Sequence, residues 1–187
     1  HSRGSRRDGV ALPGFLFDMN RFFQALLGRF LTDNLPGYTV LQEYQLRGMM
    51  SYMPEHNPRR RRAPTPRPDF AIGQGGRVIA LLDAKYRDLW ELGLPDGWLY
   101  QLSIYALSQG PGGRSTILYP TMADGAREQR ISISHPSGGE RAQVVLRPVH
   151  MGRLAGLVGE GSRDAAKVRH TMAHAVAFGS QAKGGTA

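Results

Sequence analysis

Cysteine is absent from the 187 residues. No disulfide can staple this fold, so packing alone must hold it, and a cytoplasmic location is expected. Long apolar runs are missing too. Nothing approaches the roughly 20 residues needed to span a bilayer, so no membrane partner is expected. The first residues, His1-Ser2-Arg3-Gly4-Ser5-Arg6-Arg7, are polar and cationic where a secretory leader would be apolar. Acid is scarce: 15 Asp and Glu stand against 24 Lys and Arg, for a net charge of +9. That balance favours polyanionic partners and says nothing about fold. Only three of the cations are lysine. Arginine, which grips phosphate with two prongs, supplies the rest. A GC-rich genome would enrich arginine in the same way, so charge alone does not decide the partner.

What is present suffices for one packed domain. Hydrophobic residues make up 41% of the chain and charged residues 21%, ordinary globular values. The expected domain spans 15–180, between a disordered lead-in at 1–14 and a tail at 181–187. From Phe15, apolar residues recur at spacings of three and four through Met19, Phe22, Phe23, Leu26, Leu27 and Phe30. They predict an amphipathic helix that Asn34 and Pro36 close. Tyr38 to Arg47 alternates as a strand. Ser51 to Arg67 is a proline-rich loop carrying Arg59-Arg60-Arg61-Arg62. Further on, 89–97 reads as a loop, Trp98 to Ser108 as a helix and Ser115 to Tyr119 as a strand. Gln129 to Ser134 and Ala142 to Val149 read as two more strands, and Arg163 to Phe178 as a last helix. No internal repeat occurs. The layout is mixed α/β, a central sheet sandwiched by helices.

The chemistry concentrates between Arg67 and Asp88. This stretch reads as two strands joined at Gly73-Gln74-Gly75-Gly76, where glycine supplies the positive φ of a hairpin turn. The second strand, Val78 to Tyr86, is apolar until it delivers Asp83 and Lys85, two residues apart and so on one face. Asp69 and Asp83 flank Gly76 symmetrically, so an antiparallel hairpin returns one to the neighbourhood of the other. Two carboxylates converging beside a single lysine are expensive without a counter-ion. A hard cation resolves this. Mg²⁺, with Mn²⁺ as the substitute, is expected on the Asp69 and Asp83 carboxylates and the Ala84 carbonyl. Lys85 would then orient or deprotonate water, or stabilise developing charge, in phosphodiester hydrolysis. A bare Asp-x-Lys at a strand end is more often a surface ion pair. The apolar run before it, Pro68-Asp69 and the intervening turn favour the site.

Pro68-Asp69 followed by Asp83-Ala84-Lys85 resembles the signature of the PD-(D/E)xK nuclease superfamily. Asp18-Met19-Asn20 opening an apolar helix, Leu82-Asp83-Ala84-Lys85-Tyr86 on a strand, and Tyr100-Gln101-Leu102-Ser103-Ile104-Tyr105-Ala106 on the next helix resemble the nuclease domain of McrC, over about residues 15–120. McrC is the cleaving subunit of modification-dependent restriction systems. The resemblance implies a restriction-endonuclease-like core of αβββαβ order, with C-terminal strands and a helix added. It implies a Mg²⁺-dependent DNA endonuclease in which Asp69 and Asp83 hold the metal and Lys85 is the catalytic lysine. Gln101 and Tyr105, one helical turn apart, match a Gln-x-x-x-Tyr pattern that would touch the metal site or the DNA backbone. Tyr86 and Arg59 to Arg62 are expected to contact DNA. No phosphate-binding P-loop occurs, so the resemblance implies a separate motor chain, a GTP-hydrolysing AAA+ partner like McrB.

One position departs from the family. Where a glutamate points at the metal from the first helix, this chain has Gln24. Asp18 or Glu43 would have to substitute, or metal binding is weakened. Two other readings therefore stand beside the restriction nuclease: a nuclease-like DNA-binding or assembly subunit that has lost cleavage, and a repair nuclease of the same superfamily. His170 and His174, i and i+4 on the last helix, lack a third ligand and read as a solvated face.

Overall fold

The computed structural model describes residues 18–158 and 163–180. The expected lead-in and tail, and Phe15, lie outside the described residues. Five α-helices and six strands are described, in the order α1 (Met19–Asn34), β1 (Thr39–Gln42), β2 (Phe70–Gln74), β3 (Arg77–Ala84), α2 (Leu89–Leu92), α3 (Asp96–Leu107), β4 (Gly113–Thr121), β5 (Gln129–Ser134), β6 (Glu140–His150), α4 (Met151–Val158) and α5 (Arg163–Phe178). The strands form one mixed sheet in the order β1-β2-β3-β4-β6-β5. β3–β4 and β4–β6 are parallel and the other pairs antiparallel. This is the expected sheet between helices, compatible with a restriction-endonuclease-like core. No described helix is long and apolar enough to cross a membrane.

Alternation along the strands feeds two cores. Phe70, Ile72, Leu82 and Ala84 point to one face, where Phe23, Leu27 and Leu31 of α1 and Ala173, Val176 and Ala177 of α5 cover them. Ala71 and Leu81 point to the other face, against Leu89 of α2 and Leu102 and Tyr105 of α3. Each large apolar side chain so buried contributes about 1.5–3 kcal/mol. Asp18 caps α1, its Oδ1 accepting from the Arg21 N–H at 3.1 Å. Gly28 lets α1 lie close on β2: a Cβ there would sit 3.1 Å from the Phe70 ring.

The first strand is shorter than its sequence suggests. Pairing stops at Gln42, because Glu43 takes φ 49° and turns the chain out of the ladder. The loop expected over 89–97 contains α2, which Asp88 caps by accepting from the Trp90 N–H at 3.0 Å. α4 was not expected at all, since Gly152 and Gly156 lower helix propensity. Leu154 supplies what propensity lacks by burying itself in the α1–α5 core. β3 ends at Ala84 rather than Tyr86, although the Lys85 N–H still donates to the Leu118 carbonyl at 3.0 Å. His174 is not a solvated face residue. It is half-buried, its ring 4.8 Å from that of Phe178 and 6.4 Å from that of Tyr38.

Candidate metal centre

The β2–β3 hairpin builds the centre. Its turn is Gly75-Gly76, with φ 57° and 77°, the two positive values that a tight hairpin of this twist needs. A regular ladder counted outward from that turn would set Asp69 opposite Leu82 and send the two carboxylates to opposite faces. Instead Gly73 pairs with Val78 and Ile72 with Ala80, so Ile79 has no partner and the register shifts by one. Phe70 then faces Leu82, and one further step places Asp69 opposite Asp83. Directly opposed residues share a face and stand closest.

Asp83 is 2% exposed. Its Oδ2 receives the Lys85 ammonium at 2.7 Å. Its Oδ1 is buried and has no hydrogen-bond partner among the described residues. Asp69, half-buried, accepts the Ala84 N–H on Oδ2 at 2.8 Å. Since the Lys85 N–H faces β4, the Ala84 peptide groups face β2. The β2–β3 ladder ends at Phe70 and Leu82, so the Ala84 carbonyl lies beyond its last pair.

The electrostatics follow from burial. Desolvation, then repulsion from Asp83, pushes the Asp69 carboxyl up to about 6, against the Ala84 N–H and Lys85, which pull it down. Desolvation also raises Asp83, although Lys85 beside it and then the approach of Asp69 oppose the rise; no donor from Asp69 reaches Oδ1 in hydrogen-bond geometry. Burial works against charge on Lys85, but Asp83 outweighs it and holds the ammonium above its ordinary value. The two members of this ion pair thus pull in different senses. The lysine stays protonated, while burial disfavours charge on both carboxylates.

α3 closes the centre. The Gln101 amide nitrogen donates to the Tyr105 hydroxyl at 2.6 Å. Tyr105 is 2% exposed and electrostatically coupled to Lys85, Asp83 and Asp69. Burial, with those carboxylates, raises its pKa. Tyr86 is exposed and edge-on to Phe23, ring centroids 5.9 Å apart, and its N–H donates to Asn20 Oδ1 at 2.9 Å. Asn20 thereby pins the start of α1 to the segment leaving the centre, a role its place beside the helix cap hardly announces.

Gln24 is half-buried on α1, the helix that covers the opposite face of the sheet. The hydrogen bonds to the cluster come from β2, β3 and their ends, not from Gln24. Of the two substitutes, Asp18 is occupied as a helix cap. Glu43 is nearer: its N–H donates to the Asp69 carbonyl at 2.7 Å, and its charge adds to the rise of the Asp69 carboxyl. Among the described residues no group of three or more His, Asp or Glu side chains is gathered in metal-holding geometry. Arg59 to Arg62 are all exposed. Asn57 orders their loop, its side chain accepting from the Arg61 N–H and donating to the Arg61 carbonyl, both at 2.8 Å.

The chemistry of the donors fits a hard divalent cation. A buried carboxylate oxygen lacks a partner, and a second carboxylate with a raised pKa lies beside it, held by the Ala84 N–H.

No known family model matches the chain, and no curated protein matches it in sequence. A solved structure does match in fold. It is a chain of the half-complex from the tetradecameric assembly of Thermococcus gammatolerans McrB AAA+ hexamers with bound McrC. The likeness covers 84% of the present chain and 33% of that chain, at 22% identity and a TM-score of 0.52. The present chain therefore spans about one third of the chain that it resembles, and what the two share is a fold.

Proposed function

We propose that this chain is a Mg²⁺-dependent DNA endonuclease, the cleaving part of a McrBC-like restriction or phage-defence system. The observation that carries the reading is Asp83 Oδ1, a buried carboxylate oxygen with no partner, opposite the destabilised Asp69 carboxylate. Asp69, Asp83 and the Ala84 carbonyl would hold Mg²⁺, or Mn²⁺ in its place. Bound there, the cation would stabilise charge building on a phosphate and lower the pKa of a water beside it. Lys85 stays protonated, so its part is electrostatic. It holds Asp83 Oδ2 and offers positive charge to the phosphate oxygens. Tyr105, bonded to Gln101, stands within electrostatic reach of Lys85. Arg59 to Arg62 supply exposed cations for the DNA backbone. The likeness to a chain of the McrB–McrC complex supports an AAA+ GTPase of the McrB kind as partner.

Supercoiled plasmid incubated with Mg²⁺ tests this, alongside Asp83→Ala and with or without a McrB-like AAA+ partner. Metal-dependent nicking that the substitution abolishes is the expected result. A second reading, a DNA-binding or assembly subunit without cleavage, draws on Gln24 and on the lack of a third gathered ligand. DNA binding without nicking in the presence of the partner would sink the nuclease in favour of that reading.

A further inference from the structure

Between β1 and β2 the chain makes a long excursion whose two arms start at the metal centre. The Glu43 N–H donates to the Asp69 carbonyl at 2.7 Å, and the Leu46 N–H to the Pro66 carbonyl at 2.9 Å. These bonds carry the two arms side by side beyond the last β1–β2 pair, Gln42 with Phe70. Leu46 anchors one arm by burying itself in the core layer of Leu81 and Tyr105. The other arm carries Arg59 to Arg62. Seven residues separate Arg62 from Asp69 in the chain. Even fully extended, they span at most about 25 Å. That is less than one turn of duplex DNA, about 34 Å.

A run of like charges is ordinarily a solvated stretch without fixed structure. This one is held. Asn57, Pro58, Arg59 and Arg60 form a turn closed by the Arg60 N–H on the Asn57 carbonyl at 2.9 Å. Proline stands second in it, where its fixed φ suits a β-turn. The Asn57 side chain then brackets the next residue. Its Oδ1 accepts the Arg61 N–H, and its Nδ2 donates to the Arg61 carbonyl, both at 2.8 Å. Arg60, caught between, takes φ 48°. Among the described residues only Arg60 and Glu43 have a positive φ without being glycine. That conformation crowds an L side chain. The turn also gathers four guanidinium groups, all exposed and none in a salt bridge among the described residues. Crowding and like-charge repulsion kept together in one ordered turn call for an anion that the fold itself does not supply.

We infer that residues 57–62 are a preformed clamp for the phosphate backbone of duplex DNA, with Asn57 as its positioning residue. The inference rests on the nuclease reading, which brings a duplex to the Asp69 end of the sheet. An unstructured arginine run must be ordered as it binds, and each residue fixed costs entropy. Asn57 meets that cost during folding, so the attraction between guanidinium and phosphate goes into affinity. Backbone contacts set the register of a duplex without reading its sequence. The clamp therefore holds DNA of any sequence at a set distance from the metal centre.

Surface plasmon resonance tests it. The full chain is passed, in EDTA to prevent cleavage, over an immobilised duplex of about two helical turns. Asn57→Ala keeps all four arginines, so its association rate should stay within about twofold of the unmodified chain. Its complex should dissociate about 5- to 30-fold faster, the cost of ordering about one residue of backbone on binding. Loss of fold alone would lower the amount bound and leave the dissociation rate unchanged. Dissociation at the unmodified rate overturns the clamp, and so does slower association without faster dissociation. Hydrogen exchange on the unmodified chain gives a second reading that needs no variant. A preformed clamp protects the Arg60 and Arg61 amides before DNA is added. Exchange of both at the unfolded-chain rate until DNA arrives overturns it. Each of these failures leaves the nuclease reading standing where metal-dependent plasmid nicking persists. An unmodified chain that neither binds the duplex nor nicks plasmid overturns both.

Discussion

Asp69 and Asp83 meet across a hairpin with one lysine between them, and the protein bears a cost for it. The Asp69 carboxyl titrates at about 6 in the fold against 3.8 ordinarily. A carboxyl raised on folding favours the native state while it is protonated. Its contribution is fully present below 3.8 and is lost as pH rises through about 6. Without metal at neutral pH, that loss is at most about 3 kcal/mol. Asp69→Asn cannot ionise and can still accept the Ala84 N–H. Its melting temperature in EDTA at neutral pH should therefore exceed that of the unmodified chain, and the gap should close near pH 4. Added Mg²⁺ should stabilise the unmodified chain and barely move the variant. Differential scanning calorimetry with and without Mg²⁺ reads both effects, and a variant less stable in EDTA would contradict the electrostatic account.

At the scale of the element, the pairing register of the hairpin decides which face each carboxylate takes. Ile79 is the extra residue, 46% exposed, and it shifts the ladder by one. A slip of one residue turns a strand's side chains to the other face. Deleting Ile79 removes the bulge without changing the pairs beyond it, so Asp69 stays opposite Asp83. The deletion variant should keep metal-dependent nicking within about tenfold of the unmodified chain, since register rather than local twist places the carboxylates. Loss of nicking in a folded deletion variant would assign the placement to the bulge's twist instead. Plasmid assays, with circular dichroism to show folding, separate these outcomes.

Across the whole molecule, a buried ion pair ties the last helix to the sheet. Arg147 of β6, 7% exposed, donates to Glu128 Oε2 at 2.8 Å and to the Val176 carbonyl of α5 at 2.9 Å. Burial alone would raise Glu128, but the bonds from Arg147 and Arg130 lower it below its ordinary value. Glu128→Ala leaves a buried guanidinium without its counter-charge, which costs about 3–5 kcal/mol. Urea denaturation should show a loss of that order; a loss below about 1 kcal/mol would mean that water reaches the guanidinium. The charge of the molecule acts at the same scale. Changing Arg59 to Arg62 together to alanine removes four cations from a net +9. If all four neutralise phosphates, the slope of log K against log salt for duplex DNA should become shallower by about 3–4. An unchanged slope would take this loop out of the DNA interface.

Much was legible because it is local. Glycines at 75 and 76 take positive φ without steric cost, which marks the turn. Gln129 to Ser134 alternates, and Arg163 to Phe178 keeps a helical period ended by Gly179, so both boundaries match. The spacing of Gln101 and Tyr105 already implied one face, and their side chains are bonded. Other features needed partners far along the chain. α4 forms because Leu154 finds a core that its glycines give no hint of. Glu43 stands beside Asp69 because its backbone leaves the ladder, a conformation no sequence pattern marks. By itself the sequence determined the hairpin, the residue types Asp69, Asp83 and Lys85 at its open end, and the excess of arginine, since turn chemistry and charge are properties of neighbours in the chain. Only the tertiary structure decided that Asp69 lies opposite Asp83, that Asp83 Oδ1 is buried without a hydrogen-bond donor in reach, and that Asn20 of α1 holds the Tyr86 N–H. Register, desolvation and layer order depend on how distant segments pack.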